Sequence, residues 1–199
     1  MALLGDMTNR VSTAPSEVPE FRIRRASAQD ADGIVTVLQQ IVSERVHSAI
    51  EQPWSINEQR AYLESLSARE AFHVAVDRSA RVIGFQSLDL WSPHLVSTAH
   101  VGQLGTFLLT DWRRRGVGHG LFRATQAFAR SSGYRKLLIQ VRMTNTAAQA
   151  FYQQLGFSQC GRLTRQVVIN GEEDDEILME FFLSEASCVQ QDDRRDKQG

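Results

Sequence analysis

Between Leu104 and Gly120 the chain reads LGTFLLTDWRRRGVGHG. An apolar run leads into three consecutive arginines, and these lead into a glycine-rich turn that opens a helical pattern. Helix N-termini present N–H groups without partners and a partial positive charge. Glycines let a backbone approach a ligand closely. Arg113, Arg114 and Arg115 add full positive charges at the same mouth, so the segment suits a phosphate or pyrophosphate. The surrounding charge points the same way. From Trp112 to Gly171 there is no Asp or Glu, while that window holds nine Arg and one Lys, and the run Glu172 to Glu176 follows at once. The formal net charge of -1 hides this asymmetry. A solvated arginine-rich face is the alternative reading of the window.

Two common phosphate binders fail the test of spacing. Gly116, Gly118 and Gly120 are spaced G-x-G-x-G rather than G-x-G-x-x-G, and no acid follows about 20 residues later to hold ribose hydroxyls. The Gly-Lys-Ser/Thr of a nucleoside-triphosphatase loop is absent. His47, His73, His94, His100 and His119 show no metal-ligand spacing, no H-E-x-x-H occurs, and no metal is expected. There is no G-x-S-x-G elbow, and neither Cys160 nor Cys188 sits in a nucleophile motif.

The elements that must position the bend are legible from periodicity. Phe21–Arg24 alternates as a half-buried strand does. Ile34, Val37, Leu38, Ile41 and Val42 follow helical spacing after Ser27 and Asp30. Ser55 with Glu58 forms a capping box that opens a second helix to about Ser67. Strands are predicted over Phe72–Val76, Val82–Leu90 and Val101–Thr110. A third helix carries Leu121, Thr125 and Phe128 and ends before Gly133. A short strand spans Leu137–Val141. A fourth helix starts at Thr144 or Asn145 and stops at Gly156. Val167–Ile169 and Ile177–Phe182 flank Asn170-Gly171, a hairpin turn pair. The order β, α, α, β, β, β, α, β, α, β, β predicts an α/β fold with a mixed sheet rather than a doubly wound one.

The 199 residues are 42% hydrophobic and 23% charged, which fits one globular domain and excludes wholesale disorder. Residues 21–183 are expected to form that domain, with residues 1–20 a loose arm and 184–199 a frayed tail. No apolar run is long enough for a membrane span, the N-terminus lacks a secretory pattern, and two cysteines cannot build a disulfide scaffold. The expectation is a cytoplasmic protein, monomer or homodimer, without membrane partners. The basic residues span a turn, two helices and a buried strand, with no reader motif, so nucleic acid is not an expected partner.

Arg113, Gly116 and Gly118 fit the R/Q-x-x-G-x-G/A signature of the GCN5-related N-acetyltransferases (GNAT). Asn145-Thr146-Ala147-Ala148, Phe151-Tyr152 and Gly156-Phe157 resemble that family's N-x-x-A…Y-x-x-x-G-F segment, and the closing hairpin also fits. The resemblance covers about residues 21–183 and implies a splayed central sheet flanked by helices. It implies acetyl-CoA, or a related acyl-CoA, as co-substrate. Its pyrophosphate would sit on the backbone of Arg113, Arg114, Arg115, Gly116, Val117 and Gly118, with His119 and Gly120 beside it. Pantetheine would pair with the backbone of Leu108 and Thr110, and an N–H at Leu108 or Leu109 would polarise the thioester carbonyl. Asn145 would bond the pantetheine or fix the local backbone. Tyr152 takes the general-acid position, against the alternative that it is a packed helix residue.

The resemblance leaves the base open. Related enzymes often carry Glu near the position of Gln103, and Gln accepts no proton. A water relay, His100 or Glu44 are the candidates for that duty, unless the amine arrives neutral. The acceptor amine is expected between the loop around Arg45–Trp54 and the final hairpin, with Glu44, Glu51 and Trp54 as contributors and the Glu172–Glu176 run either contributing or forming a solvated tip. The implied activity is acetyl transfer to an amine, small amines being favoured over protein amines. The alternative is a non-catalytic acyl-CoA sensor on the same fold.

Overall fold

The structure, a computed structural model, describes residues 20–45 and 48–183. The expected arm and tail, with His47 and Cys188, lie outside the described residues, apart from Glu20.

Seven strands and four α-helices follow one another as β1 (Phe21–Arg25), α1 (Ala31–Glu44), α2 (Ile56–Ser65), β2 (Ala71–Asp77), β3 (Val82–Leu90), β4 (Val101–Leu108), α3 (Val117–Ser131), β5 (Lys136–Arg142), α4 (Thr146–Gln154), β6 (Ser158–Ile169) and β7 (Glu172–Phe182). They form one sheet in the order β1-β2-β3-β4-β5-β7-β6. Every neighbour is antiparallel except β4 and β5, which are parallel because α3 makes the crossover between them. That parallel pair is registered only at Val101–Gln103 against Lys136–Leu138. β4 continues to Leu108 along β3, and β5 continues to Arg142 along β7. The sheet therefore opens between β4 and β5 beyond Gln103. This is the mixed α/β sheet that the element order implies, splayed as the family resemblance implies.

Alternation along β3 separates the two faces. Phe85 stacks on Phe72, whose ring meets Tyr62 of α2 edge-on. Leu88 points the other way, into a core shared with Phe122 of α3 and Tyr152 of α4. Helix α1 buries Ile34, Val37, Leu38 and Ile41, the stripe its periodicity predicts. Helix α2 begins at the capping box: the Ser55 hydroxyl accepts the Glu58 N–H, and the Glu58 carboxylate accepts the Ser55 N–H at 2.8 Å. It ends at Ser65, slightly before the predicted Ser67.

The closing hairpin is longer than its apolar pattern suggests. β6 runs from Ser158 and β7 from Glu172, so the acidic run lies within β7 rather than on a solvated tip. Its acids face the arginines of the acid-free window. Arg142 pairs with Asp174 at 2.8 Å, Arg162 pairs with Asp175, and Arg165 pairs with Glu173 at 3.2 Å. Asp174 also accepts the Thr144 hydroxyl, and these bonds hold its carboxyl below the usual range despite burial. Much of the positive window is thus matched inside the sheet, and a short-range periodicity reading cannot see partners on the next strand.

Candidate active site

The bend after β4 is built by backbone conformation as much as by charge. Thr110–Trp112 forms a single 3₁₀ turn, Arg113 is extended, and Arg114 is left-handed at φ 60°. Gly116 caps α3 at φ 80°, a conformation that costs glycine nothing and any other residue about 1–2 kcal/mol. No side chain caps this helix start, and no acid lies in its first turn. The first N–H groups of α3 are thus free for an anion. Gly118 and Gly120 also let neighbouring elements pack closely. A Cβ on Gly118 would lie 2.9 Å from Cζ of Phe151, and one on Gly120 would lie 3.2 Å from Ile23. Gly118 is buried and Gly120 half-buried, and they set the seating of α3 against α4 and β1.

The three arginines divide. Arg113 turns back into the molecule: its Nε donates to the Leu108 carbonyl at 3.2 Å and its Nη2 pairs with Glu44 at 2.7 Å. The other Glu44 oxygen accepts the Thr110 hydroxyl at 2.6 Å. Glu44, at the end of α1, is therefore tied to the bend after β4. The end of α1 and the end of β4 are neighbours only in three dimensions. Arg115 pairs with Glu20 at 2.8 Å and lies over the Trp112 ring, with both partners about half exposed. Arg114 is exposed, with no ion pair among the described residues.

Ladder geometry decides which β4 amides face the opening. Leu109 N–H donates to Ile83 at 3.0 Å, and Trp91 N–H donates to Val101. With β3 and β4 in continuous register, the odd-numbered positions of β4 bond to β3. The amides of Leu104, Thr106 and Leu108 turn to the other side, and beyond Gln103 that side is the splay. Of the two oxyanion candidates, Leu109 is committed to β3 and Leu108 is directed into the opening.

Tyr152 reaches the same opening from α4. Asn145 caps that helix, its Oδ1 accepting the Ala148 N–H at 3.1 Å, which is the backbone-fixing role of the two expected for it. Tyr152 is the buried residue of α4, 5% exposed and flanked by Phe151 and Phe157. Its hydroxyl donates to Thr106 Oγ1 at 2.8 Å. Burial pushes the phenol up to about 12, only partly offset by the Thr106 bond, so it keeps its proton across the physiological range. Tyr152 is thus both a packed residue and a neutral donor at the edge of the splay. Thr106 also accepts from Gln86 Nε2 at 2.7 Å, and Gln86 is fully buried with its Oε1 unpartnered. Sequence reasoning missed Thr106 and Gln86. The signal available was a glutamine at the alternate position between Gly84 and Leu88 on β3.

His100 is not brought to this place. It precedes β4, and its carbonyl accepts the Arg135 and Lys136 N–H groups. Thr106 is six residues away, roughly 20 Å along an extended strand. Gln103 lies nearer, on the α1–α2 face of the sheet. It donates to Gln140 Oε1 at 2.9 Å, and Gln140 donates to Glu176 at 3.2 Å. Glu51 lines a cleft of about 220 Å³ between the α1–α2 loop and the hairpin, with Val42, Ser48 and Ile169. Arg45 of that loop bonds Asn170 at the hairpin turn, and Arg142 donates to the Arg45 carbonyl at 3.1 Å. Trp54 is half exposed and meets the Tyr62 ring edge-on at 5.2 Å. Among the described residues no group of His, Cys, Asp or Glu is arranged to hold a metal ion, and no helix is long and apolar enough to cross a membrane.

The family model described as "Acetyltransferase (GNAT) family" matches residues 38–157. Among solved structures, a GNAT superfamily phosphinothricin acetyltransferase from Sinorhizobium meliloti, in complex with AcCoA, superposes with a TM-score of 0.77 at 20% identity, covering 86% of this chain and 93% of that one. A GCN5-related N-acetyltransferase from Kribbella flavida gives 0.72 at 24% identity over 82% and 98% of the two chains. A ribosomal-protein-alanine N-acetyltransferase from Brucella melitensis gives 0.74 at 22% over 81% and 99%. These likenesses are of fold. No curated protein matches the chain.

Proposed function

The chain belongs to the GNAT acetyltransferase family, and from that premise we propose that it transfers the acetyl group of acetyl-CoA to a small primary amine by direct attack. One observation carries the reading. The β4–β5 opening has outward β4 amides on one wall and the Tyr152 hydroxyl beside it, and it leads to an uncapped helix start. In that arrangement the backbone of Arg114 to Gly118 holds the pyrophosphate and Arg114 supplies the least committed charge. Arg113 must leave the Leu108 carbonyl if a pantetheine amide is to pair there. The Leu108 N–H donates to the thioester oxygen as negative charge develops on it. Tyr152 donates its proton to the sulfur as the C–S bond breaks. Juxtaposing the two reactants provides much of the remaining rate.

A small acceptor is favoured by the modest cleft beside Glu51, closed on one side by the Arg45–Asn170 contact. The decisive measurement is release of free CoA thiol from acetyl-CoA by the purified protein over a panel of amines. Turnover on at least one small primary amine is expected. Tight acetyl-CoA binding with no turnover on any amine would establish the sensor reading instead, which Gln103 favours because it cannot take a proton.

A further inference from the structure

One carboxylate on the acceptor face has no place in the reading so far. Asp89 lies on β3 directly opposite Gln103 of β4. In an antiparallel pair such partners project from the same face about 5 Å apart. The position where the fourth strand lacks an acid is therefore flanked by an acid on the third. Asp89 is half-buried and accepts the Tyr62 hydroxyl from α2. Among the described residues it has no ion pair with any cation.

We propose that Asp89 is the general base of the acetyl transfer, receiving the ammonium proton of the acceptor amine, with Tyr62 positioning it. The inference rests on the acetyltransferase reading above and supplies the group that reading lacks. An unpaired, partly desolvated carboxylate is costly in a folded protein unless something completes it. A cationic amine does so. In the step itself one N–H bond breaks, the proton passes along water in the opening to the Asp89 carboxylate, and the electron pair stays on nitrogen for attack on the thioester carbon. Water carries the proton because Gln103 lies five residues, roughly 17 Å along an extended strand, from the Leu108 amide.

The surroundings suit a base. Burial raises the Asp89 carboxyl above its ordinary value, the charge of Glu70 adds to the rise, and hydrogen bonds from Tyr62 and Ser87 oppose it. The groups around it are Tyr62 of α2, Ser87 of β3, Gln103 of β4, Glu70 before β2 and Tyr134 before β5, none of them cationic. Gln103 has its amide nitrogen engaged with Gln140, which leaves Oε1 as a second acceptor for the ammonium. The rings of Trp54, Tyr62 and Phe107 are partly exposed alongside, and the buried rings of Phe72 and Phe85 link them from behind, with centroid spacings between 4.8 and 6.1 Å. An amine carrying an apolar or aromatic body fits that wall.

The test measures CoA release against pH for wild type, Asp89→Asn, Asp89→Glu and Tyr62→Phe, with acetyl-CoA affinity determined separately for each. Asp89→Asn is expected to lower kcat/KM for the amine by about 10²-fold or more and to abolish its acid limb. Acetyl-CoA affinity should be unchanged, and Asp89→Glu should recover part of the rate. Tyr62→Phe removes one donor, so the acid limb should move to higher pH. Wild-type turnover with an Asp89→Asn profile like that of wild type would overturn the assignment while leaving the acetyltransferase reading intact. No wild-type turnover on any amine would overturn both. If Asp89→Asn fails to fold, the Tyr62→Phe limb decides: a shift supports the assignment and an unmoved limb refutes it.

Discussion

Replacing Tyr152 by Phe separates the two roles the structure gives this residue. The change deletes one oxygen from a side chain that is 5% exposed, 2.8 Å from Thr106 Oγ1. The ring contacts with Phe151 and Phe157, at 5.1 and 5.2 Å, are retained. Thr106 keeps its bond from Gln86, so its oxygen is not orphaned. Losing one neutral hydrogen bond without opening a ring-sized cavity costs about 1 kcal/mol of stability, a fall of roughly 2–4 °C in Tm for a chain of this size. If the phenol protonates the leaving thiolate, turnover falls by about 10²–10⁴-fold. That corresponds to about 3–5 kcal/mol in the transition state, well beyond the stability effect. Acetyl-CoA affinity should move by no more than about two-fold, since a group acting only in the transition state leaves ground-state binding alone. Thiol release at saturating acetyl-CoA and amine, with a thermal melt on the same preparation, measures both. A variant that loses about 1 kcal/mol of stability yet turns over at the wild-type rate refutes the acid role and leaves Tyr152 as packing.

The two glycines of the bend should part company. Gly118→Ala drives a Cβ to 2.9 Å from Phe151 and should cost about 1–3 kcal/mol by overpacking, read as a lower Tm. Gly116→Ala meets no atom within 4 Å but must hold φ 80°; it should lose about 1–2 kcal/mol and weaken acetyl-CoA binding by displacing the amides. Equal melting curves for wild type and Gly118→Ala would contradict the packing role. His73 is buried on β2 against the Thr125 hydroxyl, and burial, aided by the charge of Arg25, lowers it to about 4. The unfolded side chain protonates near ~6.5, so between those values the unfolded chain binds more protons. The His73 contribution is therefore complete above the unfolded value and is lost as pH falls toward 4. Tm measured from pH 7 to 4.5 should decline, and His73→Gln should flatten that decline; a variant with the wild-type slope would rule His73 out. For Asp89→Asn, loss of the acid limb in amine turnover at unchanged acetyl-CoA affinity is the outcome expected.

What the sequence determined was whatever depends on neighbours along the chain. The helical stripe of α1, the capping box at Ser55, the Asn-Gly turn and the Gly116 bend are local patterns, and each formed where its residues predict. Element order was enough for the mixed sheet, and the spacing of Arg113, Gly116 and Gly118 was enough to point to the family. What only tertiary structure decided was which charges and amides remain unspent. Glu44 answers Arg113 across 69 residues, and the β7 acids answer Arg142, Arg162 and Arg165. Leu109 spends its amide on Ile83 while Leu108, one position earlier, does not. His100 is stranded at the far end of β4, and Asp89 arrives beside Gln103 because antiparallel register aligns residues 14 positions apart. Electrostatic partnership and strand register act through space, over separations that no local period encodes, so the bend was legible in the residues while the partners of its charges and amides had to be read from the fold.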